Sequence, residues 1–320
     1  MAQYGLTLVE LLISMAVGMF VVVAATALLV SSKSGHLAQS DHAQILDTGR
    51  YATEIIARTV RQASQFDASS MEDGSAFSDA FAPAVIGLDA KSLKSRNYGL
   101  TSPVAKSING SDVLAIRFAG SGHGENGDGA VLNCAGFGVG ITADREDDDD
   151  ARGWSIFYVA EDSAGEPELY CKYQGNDSWA AQAIARGVES FQVLYALDLD
   201  GDGVSNTFLS ATAIDAMDNG LNLVGRNAAE RASDKLRKSH WRKVVAVKVA
   251  LLIRGSQSGS SDGPAMYDLF GPAYADAHAA GDPGVRIKVS ALPKAVRPRV
   301  RRVFTSTIQL RNLPGGAPAW

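Results

Sequence analysis

The sequence predicts an α+β protein in which one long N-terminal helix packs on a mainly antiparallel β-sheet domain. An apolar run opens the chain, an amphipathic pattern with helical spacing continues it to about residue 64, and alternating or solidly apolar strand-like segments follow from residue 112. The chain has 320 residues, of which 46% are apolar and 20% are charged, so it can also bury a sizeable core.

The apolar run at residues 6–30 predicts a membrane-spanning helix. It holds 25 residues and a single ionisable side chain, Glu10, and about 20 apolar residues suffice to cross a bilayer. A carboxylate inside such a segment costs roughly 2.5–3.5 kcal/mol at mid-membrane, so Glu10 indicates a paired or functional group. The alternative is that Glu10 lies at the headgroup level and stays hydrated.

The amphipathic stretch at residues 31–65 predicts a continuation of the same helix. Apolar and small residues recur every three or four positions, charged residues fall between them, and no proline occurs before Pro83. One helix over residues 6–64 would be roughly 90 Å long. Its amphipathic half needs a packing partner, and we expect the C-terminal domain to supply it.

The rest of the chain predicts a β-rich domain with long loops. Residues 66–111 are rich in Ser, Ala, Asp and Gly, which predicts a loop-rich connector with short elements. The β-rich domain follows at residues 112–312, and a flexible tail at residues 313–320. Within the domain we predict a helix at residues 227–239 and six strands, at residues 112–118, 154–159, 169–173, 188–197, 244–253 and 303–310.

Charge is distributed unevenly along the chain. Residues 1–224 hold 13 Lys and Arg against 29 Asp and Glu, whereas residues 225–320 hold 17 against 6. This asymmetry indicates internal charge complementarity or docking on an acidic neighbour subunit. Nucleic acid is not a predicted partner, because no block of basic residues is interleaved with aromatic ones. Capture of DNA would have to depend on the basic C-terminal residues Arg297, Arg299, Arg301 and Arg302.

The two cysteines, Cys134 and Cys171, predict a disulfide. They are an even count in a chain whose bulk would lie outside the inner membrane, and neither a CxxC pair nor a neighbouring histidine indicates a metal or redox site. A bridge would close a loop of about 38 residues, worth roughly 4 kcal/mol on the chain-entropy model.

Residues 198–206, DLDGDGVSN, predict either a calcium loop or an Asp- and Gly-rich hairpin turn. The twelfth position of the loop is Leu209 instead of the usual bidentate Glu, so Asp215, Asp218 or water would have to complete a site. Calcium is therefore an optional cofactor, and none is required. Asp198, Asp200 and Asp202 occupy ligand positions one, three and five of such a loop. Val204, through its backbone carbonyl, occupies position seven, and Asn206 occupies position nine.

The N-terminal residues 5–13, GLTLVELLI, resemble the type IV prepilin signature. The resemblance implies that a prepilin peptidase cuts between Gly5 and Leu6, that the new N-terminus is methylated, and that residues 1–5 are a leader. It also implies that Glu10 is the assembly carboxylate, which pairs with the new α-amine of a neighbouring subunit. Opposite charges in a low-dielectric helix bundle would relieve each other's desolvation.

Later landmarks resemble the PilW family of minor pilins over nearly the full length of the chain. They are the helix end at residues 49–58, the Cys134 and Cys171 segments, Tyr195 with residues 198–203, Trp241 with residues 244–254, and residues 301–312.

This resemblance implies a type IV pilin-like fold and a non-catalytic subunit of a tip complex that primes pilus assembly. The implied partners are other minor pilins, the major pilin and the inner-membrane assembly platform. The implied location is the inner membrane, with one span and a periplasmic domain, and then the pilus tip at the cell surface. Such pili serve adhesion, twitching motility or DNA uptake. No motif in the sequence indicates an enzyme.

Two alternatives remain open from the sequence. A tip pseudopilin of a type II secretion machine shares the N-terminal signature. A secreted calcium-dependent binding or adhesion module would instead depend on the Asp198 loop and on signal-peptide cleavage after Ala27, where residues 25–27 offer an A-x-A-like site.

Overall fold

One long helix opens the fold. The computed structural model describes residues 7–63, 83–124, 126–140, 153–175, 178–258 and 263–311, and helix α1 covers Leu8–Gln62 without interruption. It begins with a capping box, in which the side chains of Thr7 and Glu10 bind each other's backbone N–H groups. The predicted single helix is confirmed. The predicted processing residues Gly5 and Leu6 lie outside the described residues.

The two halves of α1 have different surroundings. Residues 8–40 are exposed along their whole length, and Asp41 is the first buried residue of the helix. From there the buried positions follow helical spacing, at Ile45, Gly49, Ala52 and Ile56. Within the part of the chain that the structure describes, only the second half of α1 therefore packs on other elements.

Five antiparallel strands form the first sheet. They are β1 (Val85–Leu88), β2 (Val113–Phe118), β3 (Gly153–Glu161), β4 (Pro167–Gln174) and β5 (Trp179–Arg186), and they are ordered in space as in the chain. Strand β1 lies within the predicted connector at residues 66–111, and it pairs with β2, the first strand after that connector.

The described residues from 188 to 311 form six strands and three short α-helices. The strands are β6 (Val188–Leu197), β7 (Thr207–Leu209), β8 (Val244–Ser258), β9 (Met266–Asp268), β10 (Arg286–Lys288) and β11 (Arg299–Gln309). The helices are α2 (Ala211–Asn219), α3 (Ala228–Lys238) and α4 (Pro272–His278). A four-stranded antiparallel sheet has the order β11-β8-β6-β7, and β9 pairs with β10 as a separate ribbon.

One apolar core joins α1 to both larger sheets. Ile45 and Ile56 from the helix, Phe157 from the first sheet, and Phe191 and Leu251 from the second belong to the same buried cluster. The helix packs chiefly on β8 and β11 and also contacts β5.

Strand β8 is apolar on both faces because both faces are covered. Val249 and Leu251 alternate with Ala250 and Leu252, so the first pair enters the core beneath α1 and the second pair packs under the β9–β10 ribbon. This arrangement explains why the strand is a nearly continuous apolar run.

The predicted α+β class, with a long helix on antiparallel strands, is confirmed. Among the described residues, the larger sheets of this domain are two, and they share the core. Strands β1, β5, β7, β9 and β10 were not predicted individually.

Candidate functional site

The first turn of α1 presents Glu10 at an exposed position. Its Oε2 atom accepts hydrogen bonds from the Thr7 backbone N–H (2.9 Å) and the Thr7 hydroxyl (3.0 Å). The nearest basic residue along the described helix is Lys33, about 35 Å away at 1.5 Å per residue. Among the described residues, only the helix start stabilises this carboxylate, and the side chain is exposed.

The first half of α1 is an apolar rod. It is the one helix among the described residues that is long and apolar enough to cross a membrane. Every large apolar side chain between Leu8 and Val30 is more than half exposed. A continuous apolar surface of this kind requires cover by lipid or by other helices.

Asp41 joins the helix to the end of β8. The carboxylate is 5% exposed, and its Oδ1 accepts hydrogen bonds from the Ser256 N–H (2.7 Å), the Ser256 hydroxyl (3.1 Å) and the Gln257 N–H (3.3 Å). The residue before Ser256 must be glycine, because a Cβ at Gly255 would clash with the Asp41 carboxylate. The bonds fix where the exposed rod leaves the domain.

A network of ion pairs lies beside this junction. Glu189, which is 1% exposed, binds Arg254 Nη1 (2.9 Å) and Arg301 Nε (2.6 Å). Glu166 binds Arg254 and also Arg299, at 3.1 Å. Burial alone would raise the pKa of Glu166, but the Arg254 and Arg299 guanidiniums lower it overall. The sequence signals for this network are the charge asymmetry between the two parts of the chain and the charged residues inside strand-like segments, and neither signal predicts which residues pair.

A disulfide joins Cys134 to Cys171, as predicted, and both residues are buried in the core. Cys171 lies on β4. Cys134 lies in a turn shaped by Asn133, whose Oδ1 accepts hydrogen bonds from the Ala135 and Phe137 N–H groups at 2.9 and 3.1 Å. The bridge fixes this turn to the first sheet. The acidic run at residues 144–150 lies outside the described residues.

The Asp198 loop follows β6 and brings three carboxylates together. One oxygen from each of Asp198, Asp200 and Asp202 lies within 4.8 Å of the other two. The oxygens of Asp198 accept hydrogen bonds from the N–H groups of Gly201 (2.6 Å) and Gly203 (2.8 Å), both of which have positive φ. The hydrogen bond from the Gly203 N–H has the largest effect on the pKa of the Asp198 carboxyl and lowers it. Burial acts in the opposite direction with a smaller effect, and the Gly201 N–H lowers the pKa further.

The remaining predicted calcium ligands, Asn206 and Val204, form hydrogen bonds within the loop. Asn206 donates to Asp200 Oδ2 (3.1 Å) and accepts from the Leu199 N–H (2.5 Å), which closes the loop as a turn. Val204 N–H donates to Asp202 Oδ1 at 2.7 Å.

The two carboxylates that could have completed the site bind elsewhere. Asp215 accepts a hydrogen bond from Trp241 Nε1 (2.9 Å), and Asp218 binds Ser239 and His240. The loop therefore has the turn geometry and three close carboxylates, without a fourth carboxylate from α2.

Two family models match this chain, one over the N-terminal helix region and one over the β-rich domain. The family model described as "Type IV Pilus-assembly protein W", PilW, matches residues 156–312. The model described as "Prokaryotic N-terminal methylation motif" matches residues 1–26. Together the two matched stretches cover more than half of the chain. No curated protein sequence matches it significantly.

One solved structure that the comparison finds similar to this chain is a type IV-like pilin from Thermus thermophilus. The alignment has a TM-score of 0.37 and 16% sequence identity, and it covers 84% of this chain and 97% of that one. The family assignment depends on the two sequence matches and on the exposed apolar helix that they predict. By these matches, the chain belongs to the PilW family of type IV minor pilins.

Proposed function

We propose that this minor pilin helps to initiate type IV pilus assembly as part of a tip or priming complex. The observation that supports this role most directly is the exposed apolar rod of α1 with a single carboxylate, Glu10, in its first turn. A rod of this kind can exchange lipid contacts for contacts with the helices of other pilins.

In this proposal Glu10 neutralises the α-amine of a neighbouring subunit. Cleavage after Gly5 would create that amine at Leu6. Two opposite charges in a low-dielectric bundle attract each other more strongly than in water and share their desolvation cost. The pairing would set a stepwise axial stagger between neighbouring helices.

The proposed location follows from the single apolar segment. Before assembly, residues 8–30 would cross the inner membrane and the two-sheet domain would lie in the periplasm. There the domain would contact other minor pilins, the major pilin and the assembly platform. The protein would then move into the pilus, and no catalytic step is part of this role.

The test replaces Glu10 by alanine in cells that depend on this gene for piliation. We expect Glu10→Ala to insert and accumulate normally but to reduce the number of pili per cell, counted by electron microscopy. Glu54→Ala, which removes an exposed carboxylate farther along the same helix, is the matched control and should leave the number unchanged. Normal piliation with Glu10→Ala would contradict the pairing mechanism.

We also propose that the Asp198 loop binds Ca²⁺ weakly, with a dissociation constant of about 10⁻⁴–10⁻³ M, as in extracellular calcium modules. The three close carboxylates support this proposal. Titration of the full chain in detergent with CaCl₂ should give saturable heat that Asp200→Asn abolishes. Asp128→Asn, at another exposed Asp-containing turn, should not change it. Absence of saturable heat in the unmodified protein would contradict calcium binding.

A further inference from the structure

Strand β11 forms one edge of the four-stranded sheet. In the order β11-β8-β6-β7 its partner is β8, and in the part of the chain that the structure describes no strand pairs with its other side. The ladder with β8 runs without a register shift from Arg301 to Gln309. The side chains of Thr305, Thr307 and Gln309 are exposed, so this side of the domain is accessible to another chain.

The direction of the backbone groups of β11 follows from its ladder with β8. Leu310, directly after the strand, donates its N–H to the Val245 carbonyl at 2.9 Å. In an antiparallel ladder, alternate residues exchange hydrogen bonds with the same neighbouring strand. The backbone groups that point away from β8 are therefore the N–H and C=O of Val303, Thr305, Thr307 and Gln309. No backbone hydrogen bond joins these groups to another described residue, and we call them the open edge of β11.

The open edge lacks the features that usually prevent edge strands from pairing. Proteins protect exposed edges with charged residues, proline, β-bulges or very short strands. The sequence of residues 303–309, VFTSTIQ, has no charge and no proline. The register shift of β11 lies before this segment, between Arg299 and Arg301. Its β-branched and aromatic residues also favour the extended conformation, so the edge is suited to hold a further strand.

The other edge strands among the described elements differ from β11. Strand β1 has four residues and β7 has three, and the two strands of the β9–β10 ribbon have three each. Strand β5 has eight residues, but it contacts α1 and ends in the charged Arg186. With its 11 residues, β11 is the longest edge strand that the structure describes.

Strand β11 lies directly beside α1. Phe304 packs against Gly49 of the helix, where a Cβ would clash with the phenylalanine ring, and Ile308 enters the shared core. The open edge therefore runs alongside the packed half of α1, from which the exposed rod continues. A subunit whose helix packs against the rod would bring its own globular domain to this edge.

The direction of β11 argues against a second copy of this chain as the partner. Asp41 binds Ser256 near the end of β8. Farther along the helix, Gly49 lies against Phe304, whose partner in β8 is the earlier residue Leu251. Helix α1 thus runs antiparallel to β8 and in the same direction as β11. Two copies anchored in one membrane have parallel α1 helices, so their β11 strands could pair only in parallel, which is the less stable arrangement.

We propose that the open edge of β11 binds an extended segment of a different pilin, which adds an antiparallel strand to the four-stranded sheet. The ligand is an extended polypeptide because its backbone presents donors and acceptors at the spacing that the open edge requires. The inference rests on the proposed assembly role and adds to it a backbone-mediated contact between globular domains.

The test places a photocrosslinking amino acid at Thr305 of the full chain in piliated cells. We expect crosslinks to another pilin, identified by mass spectrometry of the linked peptides. Thr307→Pro removes one outward N–H, and its ring occupies the space of the incoming strand, so it should lower the crosslink yield about ten-fold. Thr307→Ala is the matched control, since it removes the side chain and keeps the backbone, and it should retain the yield.

A second proline variant, Gln309→Pro, tests the same edge at the end of the strand. Its N–H also faces outward, so the ladder with β8 keeps its hydrogen bonds, and the crosslink yield should again fall about ten-fold. The urea midpoint of Gln309→Pro should equal that of Thr307→Ala. A large fall in the midpoint of both proline variants would contradict the outward direction of these N–H groups, on which the proposal depends.

A second crosslinker position separates the two proposals. Crosslinks from Phe20, in the apolar rod, report helix packing without involving β11, and they should persist in Thr307→Pro. The edge proposal would be overturned, with the assembly role intact, if Phe20 crosslinks form but those from Thr305 are absent or unchanged in Thr307→Pro. Thr305 crosslinks that stay within one chain, or that join two copies of it, would overturn it as well. Absence of crosslinks at both positions would overturn both proposals.

Discussion

At the scale of single residues, the domain contains carboxyl groups whose burial raises their pKa values. Asp282 is 8% exposed and accepts a hydrogen bond from the Tyr274 hydroxyl at 3.1 Å. Burial, and then the Asp89 carboxylate, raise the pKa of Asp282 to about 6, against smaller opposing effects of Tyr274 and His278. Burial also raises the pKa of Asp112 well above its ordinary value.

The shift at Asp282 predicts a contribution to stability that falls as the pH rises. The folded-state pKa of Asp282 lies above the value of about 3.9 for an unfolded chain, so the folded protein binds this proton more tightly. The free energy of unfolding should therefore lose the contribution of protonated Asp282 between about pH 4 and pH 6. Asp282→Asn should raise it at pH 7 by about 1–3 kcal/mol and leave it nearly unchanged at pH 4.

The measurement is urea unfolding of both proteins at the two pH values. Asp112 contributes a slope of the same sign in both, so the difference between the proteins isolates Asp282. An equal difference at pH 4 and pH 7 would contradict the assignment.

Some site residues could be predicted from the sequence and others could not. Cys134 and Cys171 were paired correctly because a chain with two cysteines allows only one intramolecular bridge. The partners of Glu189 and Asp41 depend on contacts across more than 60 residues of sequence, which no local pattern encodes. The positions of Asp215 and Asp218 also depend on tertiary packing, which directs both side chains toward the Ser239–Trp241 turn.

At the scale of elements, the contact between α1 and the sheets should dominate the stability of the domain. Ile56 is fully buried in the shared core. Ile56→Ala should lower the free energy of unfolding by about 2–5 kcal/mol, through lost burial and a residual cavity. Leu37→Ala removes a similar side chain from an exposed part of the same helix and should change it by less than about 0.5 kcal/mol.

Urea unfolding of the detergent-solubilised chain, followed by tryptophan fluorescence, measures both variants. Equal effects of the two substitutions would mean that α1 does not pack on the domain as described.

Long apolar runs in the sequence predicted strands correctly, whereas short or alanine-rich strands could not be predicted. Strands β6 and β8 were predicted because long apolar runs with β-branched residues are typical of buried strands. Strand β5, with the sequence WAAQAIAR, contains four alanines and one β-branched residue, and its conformation depends on pairing with β4. Strands β7, β9 and β10 have three residues each, too few for a period to be recognised.

At the scale of the whole molecule, the acidic and basic parts of the sequence meet in the ion network. Glu166 and Glu189 come from the acidic first part, and Arg254, Arg299 and Arg301 from the basic last part. The predicted internal charge complementarity is therefore present.

The second half of α1 is packed into the domain. The first half is apolar and exposed, and it requires cover by lipid or by other helices. Residues 8–30 cannot remain exposed to water, so the chain must reside in a membrane or in a bundle of helices. Processing at Gly5 is the step that would allow a membrane subunit to become a pilus subunit. The account of this protein as an assembled pilin therefore depends on that step.

The most direct test is intact-mass and N-terminal peptide analysis of the membrane-extracted protein, produced with and without a prepilin peptidase. We predict a mature chain that begins at methylated Leu6 only when the peptidase is present. An uncut chain beginning at Met1 in both samples, or a chain beginning near Leu28, would contradict assembly as a pilin. The second result would instead support a secreted protein cleaved after Ala27.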